Sequence, residues 1–159
     1  MLKLEPNHYK AKVNLAIIYE KLGSGQKAQK QYEEALKESP NEPRIYQNMG
    51  INMKRAGRLE EALDYYKKAI DLDPANSVIL YNTGILHNIR SEYPEAIAQL
   101  EASISKNQEN VYAYLALGDA LERQKEHKRA LQVYKDLMGL GIKVHGLKEK
   151  IQYLDGVIA

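Results

Sequence analysis

The segment PRIYQNMGINMKRAGRLEEALDYYKKAIDLDPAN, residues 43–76, is the clearest copy of a pattern that organises the whole chain. Tyr46, Met49, Gly50 and Met53 stand at i, i+3, i+4 and i+7, one stripe of an α-helix. Ala62, Tyr66, Ala69 and Ile70 form a second such stripe. Gly57 lies between them, where a tight turn accepts left-handed backbone, and Pro74 ends the second run. The segment therefore reads as a helical hairpin, with helices over about 43–56 and 60–72.

Shifting the chain by 34 residues brings the pattern into register with itself. Four copies result, at 9–42, 43–76, 77–110 and 111–144. Position 20 of a copy is always Ala (Ala28, Ala62, Ala96, Ala130), and position 8 is always small (Ala16, Gly50, Gly84, Gly118). Position 24 is Tyr32, Tyr66, Leu100 and Tyr134. Small residues at 8 and 20 let paired helices approach closely while larger ones fill the gaps. Enlarging Ala62 to Leu should overpack that contact by roughly 1–3 kcal/mol. One hairpin leaves an apolar face wet, so neighbouring copies must stack.

The remaining helices are expected over about 9–22, 77–90 and 111–124, paired with 26–38, 94–106 and 128–140. Gly23 and Gly25 suit the turn inside the first copy, Pro43 and Pro94 suit first-turn positions, and Pro40 closes a second helix. Leu2-Lys3-Leu4-Glu5-Pro6 aligns with Ile70-Asp71-Leu72-Asp73-Pro74, so residues 1–8 read as the end of an earlier, partial copy. After the fourth copy, Gly139, Gly141 and Gly146 break the helix. Leu147, Ile151 and Leu154 then give a capping helix over 146–157.

The bulky residue, Leu-Gly-like pair, Tyr, Ala, aromatic, Ala and Pro at these offsets resemble the tetratricopeptide repeat, across about 9–144. The resemblance implies an all-α, right-handed α-solenoid of four helix-turn-helix repeats plus a C-terminal capping helix, in one domain. The departures are Lys12 and Leu80 at the first bulky position, His87 at position 11, and Ile142 in place of the last Pro.

Composition narrows the function. The chain has 159 residues, 23 Lys+Arg against 21 Asp+Glu, and a net charge of +2, too balanced for a strong nucleic-acid footprint. No apolar run reaches the ~18–20 residues of a membrane span. There is no Cys, hence no disulfide, thiolate zinc site or cysteine nucleophile, which fits a reducing, cytoplasmic setting. Phe and Trp are absent and Tyr numbers 12, so Tyr carries the aromatic packing.

Catalytic patterns are missing. His8, His87, His127 and His145 show no i, i+4 pairing, so no metal is expected, and His87 reads as a half-buried, satisfied side chain. Leu22-Gly23-Ser24-Gly25-Gln26-Lys27 lacks the spacing and preceding strand of a phosphate loop. Gly139-Leu140-Gly141 does not complete a dinucleotide fingerprint, and Glu33-Glu34 and Glu60-Glu61 read as solvated faces. No enzyme activity and no cofactor are expected.

The resemblance implies that the first helices line a concave groove that binds peptide segments, extended or as short helices. Position 6 holds Asn14, Asn48 and Asn82; position 9 holds Ile17, Ile51 and Ile85. The three Asn resemble the asparagine ladder of members such as O-GlcNAc transferase and the kinesin light chain. An amide both donates and accepts, so it can pair with a peptide backbone whatever its side chains. Helices ~8–10 Å apart, against ~3.3 Å per extended residue, would let each Asn meet about every third residue. Lys10, Lys21, Arg44, Lys54 and Arg55 make the first two copies basic, with Glu20 diluting them. Val78, Tyr81, Ile85 and Ile89 make the third apolar, and Tyr112 and Asp119 follow in the fourth. The expected partner is a protein segment with acidic residues at one end and apolar ones in the middle. Members that hold the acidic C-terminus of heat-shock chaperones use a carboxylate clamp, whose positions here hold Val13, Ile17, Asn48, Val78 and Asn82. Only Asn48 matches, and a shift of one copy leaves only Asn82. The alternative to groove binding is a structural spacer or a self-association segment of a larger protein.

Overall fold

The computed structural model describes residues 8–159. The reading of residues 1–8 as part of an earlier copy thus falls almost wholly outside the described residues. Among those residues there are nine α-helices and no strand. The chain divides into two compact units, Met1–Ala75 and Asn76–Ala159. The second unit begins one residue before the third copy. Stacked copies touch only their neighbours, so compactness in such a chain is local.

The first unit holds α1 (His8–Lys21), α2 (Gly25–Glu38), α3 (Pro43–Arg55) and α4 (Leu59–Leu72). α1 pairs with α2, α3 with α4, and α2 also lies on α3. Val13, Ala16, Ala28, Tyr32, Ala35, Ile45 and Met49 form its core. The close approach is visible at Gly50, where an added Cβ would lie 2.5 Å from the Tyr66 ring. The expected stripe fails at one place: Leu15 is 38% exposed, whereas its equivalent Met49 is 1% exposed. Met49 belongs to a helix overlaid by α2, and no described helix covers the corresponding face of α1.

The second unit holds α5 (Ser77–Ile89), α6 (Tyr93–Lys106), α7 (Val111–Arg123), α8 (His127–Gly139) and α9 (Leu147–Ile158). Gly84 admits Leu100 in the same way, with a Cβ position 2.6 Å from its side chain. Helix α9 caps the unit: Leu147, Ile151 and Leu154 are buried in the core it shares with α7 and α8. Its polar edge is pinned by Lys150 to Glu122 (2.8 Å) and Lys135 to Asp155 (3.2 Å).

Every first helix ends in the same way. Ser24, Arg58, Glu92 and Glu126 each donate a backbone N–H to the carbonyl five residues back, on Tyr19, Met53, His87 and Leu121. This closure needs one left-handed residue. Gly23 (φ 71) and Gly57 (φ 75) supply it in the first unit, but Ser91 (φ 60) and Lys125 (φ 61) do so in the second. Gly25, expected in the turn, instead opens α2. Gly139, expected to break the fourth second helix, is its last residue; Gly141 (φ 73) and Gly146 (φ 76) make the break. The start of α3 is capped by Glu42, of α5 by Asn76 and of α7 by Asn110, each accepting from a first-turn backbone N–H.

Candidate functional site

In the first unit, Lys10 and Asn14 lie one turn apart on α1, as Arg44 and Asn48 do on α3. Lys10, Asn14 and Arg44 converge on one pocket of about 360 Å³, which Tyr9, Val13, Glu42 and Ile45 complete. Its floor is apolar, since Val13 and Ile45 are buried. Val13, grouped by its repeat position with the groove surface, therefore belongs under that surface. The Tyr9 hydroxyl donates to Glu42 (3.3 Å), and the other Glu42 oxygen accepts the Arg44 backbone N–H at the start of α3 (3.4 Å). Burial first, then the Glu42 charge, holds the Tyr9 phenol above its ordinary range, so it stays a donor at neutral pH. Lys10 lies over the Tyr9 ring, 6.0 Å from its centre. Among the described residues, no carboxylate forms an ion pair with Lys10 or Arg44.

Asn14 is exposed, while Asn48 is half-buried with its Nδ2 enclosed and without a hydrogen-bond partner. Ile17 and Ile51 are half-buried rather than exposed, and Ile17 packs against the unit's core. Arg55 is committed elsewhere: it forms an ion pair with Glu20, which also accepts the Tyr32 hydroxyl at 2.8 Å. That carboxylate has a side chain only 7% exposed, so Arg55 serves as its counter-charge. Lys54 is half-buried, and desolvation, then nearby Arg55, depresses its pKa. The basic face expected over both copies thus contracts to Lys10, Arg44 and exposed Lys21.

In the second unit, Asn82, Ile85 and Tyr81 are half-buried, and Tyr81 packs against the core with its phenol pKa raised by burial. Tyr112, Ile89 and Val78 stand out, at 71%, 54% and 50% exposed. Asn88 on α5 donates to the Ala116 carbonyl on α7 (3.1 Å), tying the two first helices together. Asp119 pairs with Arg123 (2.9 Å). His87 is held 2.7 Å from Glu92, a satisfied position.

The sequence reading missed one feature of the first unit. An 800 Å³ trough lies between α2 and the end of α3, lined among others by Gln26, Gln29, Asn52 and Arg58. Its only legible signal was Asn52 at an otherwise apolar position, and that side chain donates to the Gly25 carbonyl (3.1 Å). Among the described residues, no cluster of three or more potential metal ligands exists, and no helix is long and apolar enough to cross a membrane.

Three family models described as tetratricopeptide repeat match the chain, over residues 8–75, 65–98 and 90–141. No curated protein matches. Among solved structures, PilF of Pseudomonas aeruginosa is 22% identical, with a TM-score of 0.83 over 97% of this chain and 70% of that one. MamA of Desulfovibrio magneticus RS-1 is 20% identical, with a TM-score of 0.81 over 92% of this chain and 83% of that one. The first repeat domain of Spaghetti (RPAP3), bound to the HSP90 peptide SRMEEVD, is 19% identical, with a TM-score of 0.67 over 73% of this chain and 92% of that one. At these identities the likeness is one of fold.

Proposed function

We propose, from the premise that this chain belongs to the tetratricopeptide repeat family, that it is a protein-interaction scaffold working inside the cell. The 34-residue copies 9–42, 43–76, 77–110 and 111–144 are its working modules. The first helices present the binding surface to an extended or short helical segment of a partner protein. Within the first unit Asn14 and Asn48, and within the second unit Asn82, offer amides to a bound backbone in the manner of an asparagine ladder. Ile17, Ile51, Ile85, Tyr81 and Tyr112 supply apolar contact, and Lys10 and Arg44 favour acidic residues.

One observation carries this reading: exposed Asn14 lies with Lys10 and Arg44 around one apolar-floored pocket. An exposed amide there can both donate to and accept from a passing peptide backbone. The fold likeness to a structure holding SRMEEVD, a peptide with three acidic residues, lends support in kind. The clamp that would hold a chain-terminal carboxylate lacks its cations here, so the partner is proposed to be read along its length.

The test is to find partners by pulldown, map the bound segment on a peptide array, and replace Asn48 and Asn82 by Ala. The helical signal should persist while affinity falls by about 1–3 kcal/mol. Undiminished binding would retire the amide role. A second reading, self-association, draws on the exposed Val78, Ile89 and Tyr112 of the second unit. A mass that grows with concentration, and returns to the monomer in Tyr112→Lys, would favour it.

A further inference from the structure

We infer that the pocket between Lys10 and Arg44 is the seat of a single carboxylate, an Asp or Glu side chain within the bound segment; this rests on the groove reading above. Five basic residues were available on this part of the surface, and the geometry eliminates three. Arg55 is neutralised by Glu20. Lys54 is half-buried. Lys21 lies eleven residues from Lys10, about 16 Å along the same helix, too far to act with it. Lys10 and Arg44 remain, unpaired among the described residues, on the rim of one pocket.

The pocket's own chemistry fixes what enters. Buried Val13 and Ile45 floor it, so a side chain can lay its methylenes there and keep its charged tip at the rim. A volume of about 360 Å³, at the small end of ligand pockets, gives room for an acidic side chain and part of its adjoining backbone. Glu42 stands on the same rim, and its oxygens are taken by the Tyr9 hydroxyl and the Arg44 backbone N–H. The three rim charges, Lys10, Arg44 and Glu42, sum to +1. That net charge balances one carboxylate, whereas a doubly charged phosphate would leave the site with an uncompensated negative charge. Asn14 on the same rim, and Asn48 one turn along α3, lie where the adjoining backbone would pass. The arrangement therefore separates the tasks: amides hold any backbone, and the cations select one acidic residue.

The test uses the full 159-residue chain. A random 12-residue peptide library displayed on phage is selected against it, and in parallel against the Lys10→Gln, Arg44→Gln double variant. Both substituted side chains are exposed, and circular dichroism checks that the variant is folded. One Asp or Glu should be enriched at a fixed place against the parent and lost against the variant. In a synthetic copy of the leading peptide, changing that residue to Asn or Gln should weaken binding by about tenfold to the parent and leave binding to the variant unchanged. Acid enrichment that survives the double variant, or none at all, would overturn the seat, while peptides still weakened by Asn14→Ala and Asn48→Ala would keep the groove reading. A library that yields no such peptide would overturn both. Tighter binding of the phosphoserine analogue would replace the carboxylate assignment with a phosphate one.

Discussion

The hairpins α1–α2 and α3–α4 share a register and a unit, yet the same repeat position behaves differently in each. Met49 is sealed while Leu15 at the equivalent place is 38% exposed, and Ile18 and Leu22 continue that open face at 52% and 71%. Tyr32 and Tyr66 are equally buried, but only Tyr32 has a partner for its hydroxyl. Position in the repeat fixes which way a side chain points. What it meets is fixed by the neighbouring helix and by one or two unrepeated residues.

The largest contrast should come from deleting side chains at position 7. Met49→Ala should cost about 2–5 kcal/mol, whereas Leu15→Ala should cost about 1 kcal/mol or less. Denaturant midpoints at a common slope would measure both, and equal costs would break the comparison. The next contrast lies at position 8, where Gly50 faces Tyr66 and Ala16 shares a buried core with Tyr32. Gly50→Ala should lose about 1–3 kcal/mol because its Cβ would meet the ring. Ala16→Gly should lose only about 0.5–1 kcal/mol, through backbone entropy.

The two tyrosines give a finer test. Tyr32→Phe should lose about 1 kcal/mol, because Glu20 then keeps only Arg55. Tyr66→Phe should be neutral or gain up to about 1 kcal/mol, since its hydroxyl is enclosed without a partner. Copy two carries Lys54 where copy one carries Glu20, so Lys54→Glu should supply the missing acceptor and reverse the sign of a later Tyr66→Phe change. Double-mutant cycles measure that coupling directly.

The smallest effect concerns pH. Glu38 is hydrogen-bonded by Lys12 (2.6 Å) and His8 (2.8 Å), in that order holding its carboxyl below the usual range. The lower folded value means that its contribution is present above the ordinary carboxylate pKa of ~4.3 and lost as pH falls through the folded one. The second hairpin has Leu72 at this place and no such dependence. Lys12→Ala should move the Glu38 titration upward in a carboxyl NMR experiment, and an unmoved titration would remove Lys12 as the cause.

Much of the fold was legible because a 34-residue period repeats its small residues wherever two helices must touch. Helix limits fell within about one residue of expectation, since Pro, Gly and the apolar stripes all marked the same edges. The turns of the second unit were less legible: Ser91 and Lys125 adopt left-handed backbone that Gly would adopt more cheaply, and only the shared six-residue closure reveals them. At the candidate site the row of amides could be read from register. The fate of the charges could not, because Arg55 meets Glu20 from 35 residues away and Val13 turns under the surface on which its position number had placed it.

The sequence by itself determined the hairpins, their small-residue contacts and the end cap, because those follow from periodicities that act over one or two helical turns. Only the tertiary structure decided which cations stay free, which amide is left without an acceptor and which apolar face stays open. Each of those depends on the residue brought opposite by packing, and a repeat pattern specifies where that residue lies without specifying its chemistry.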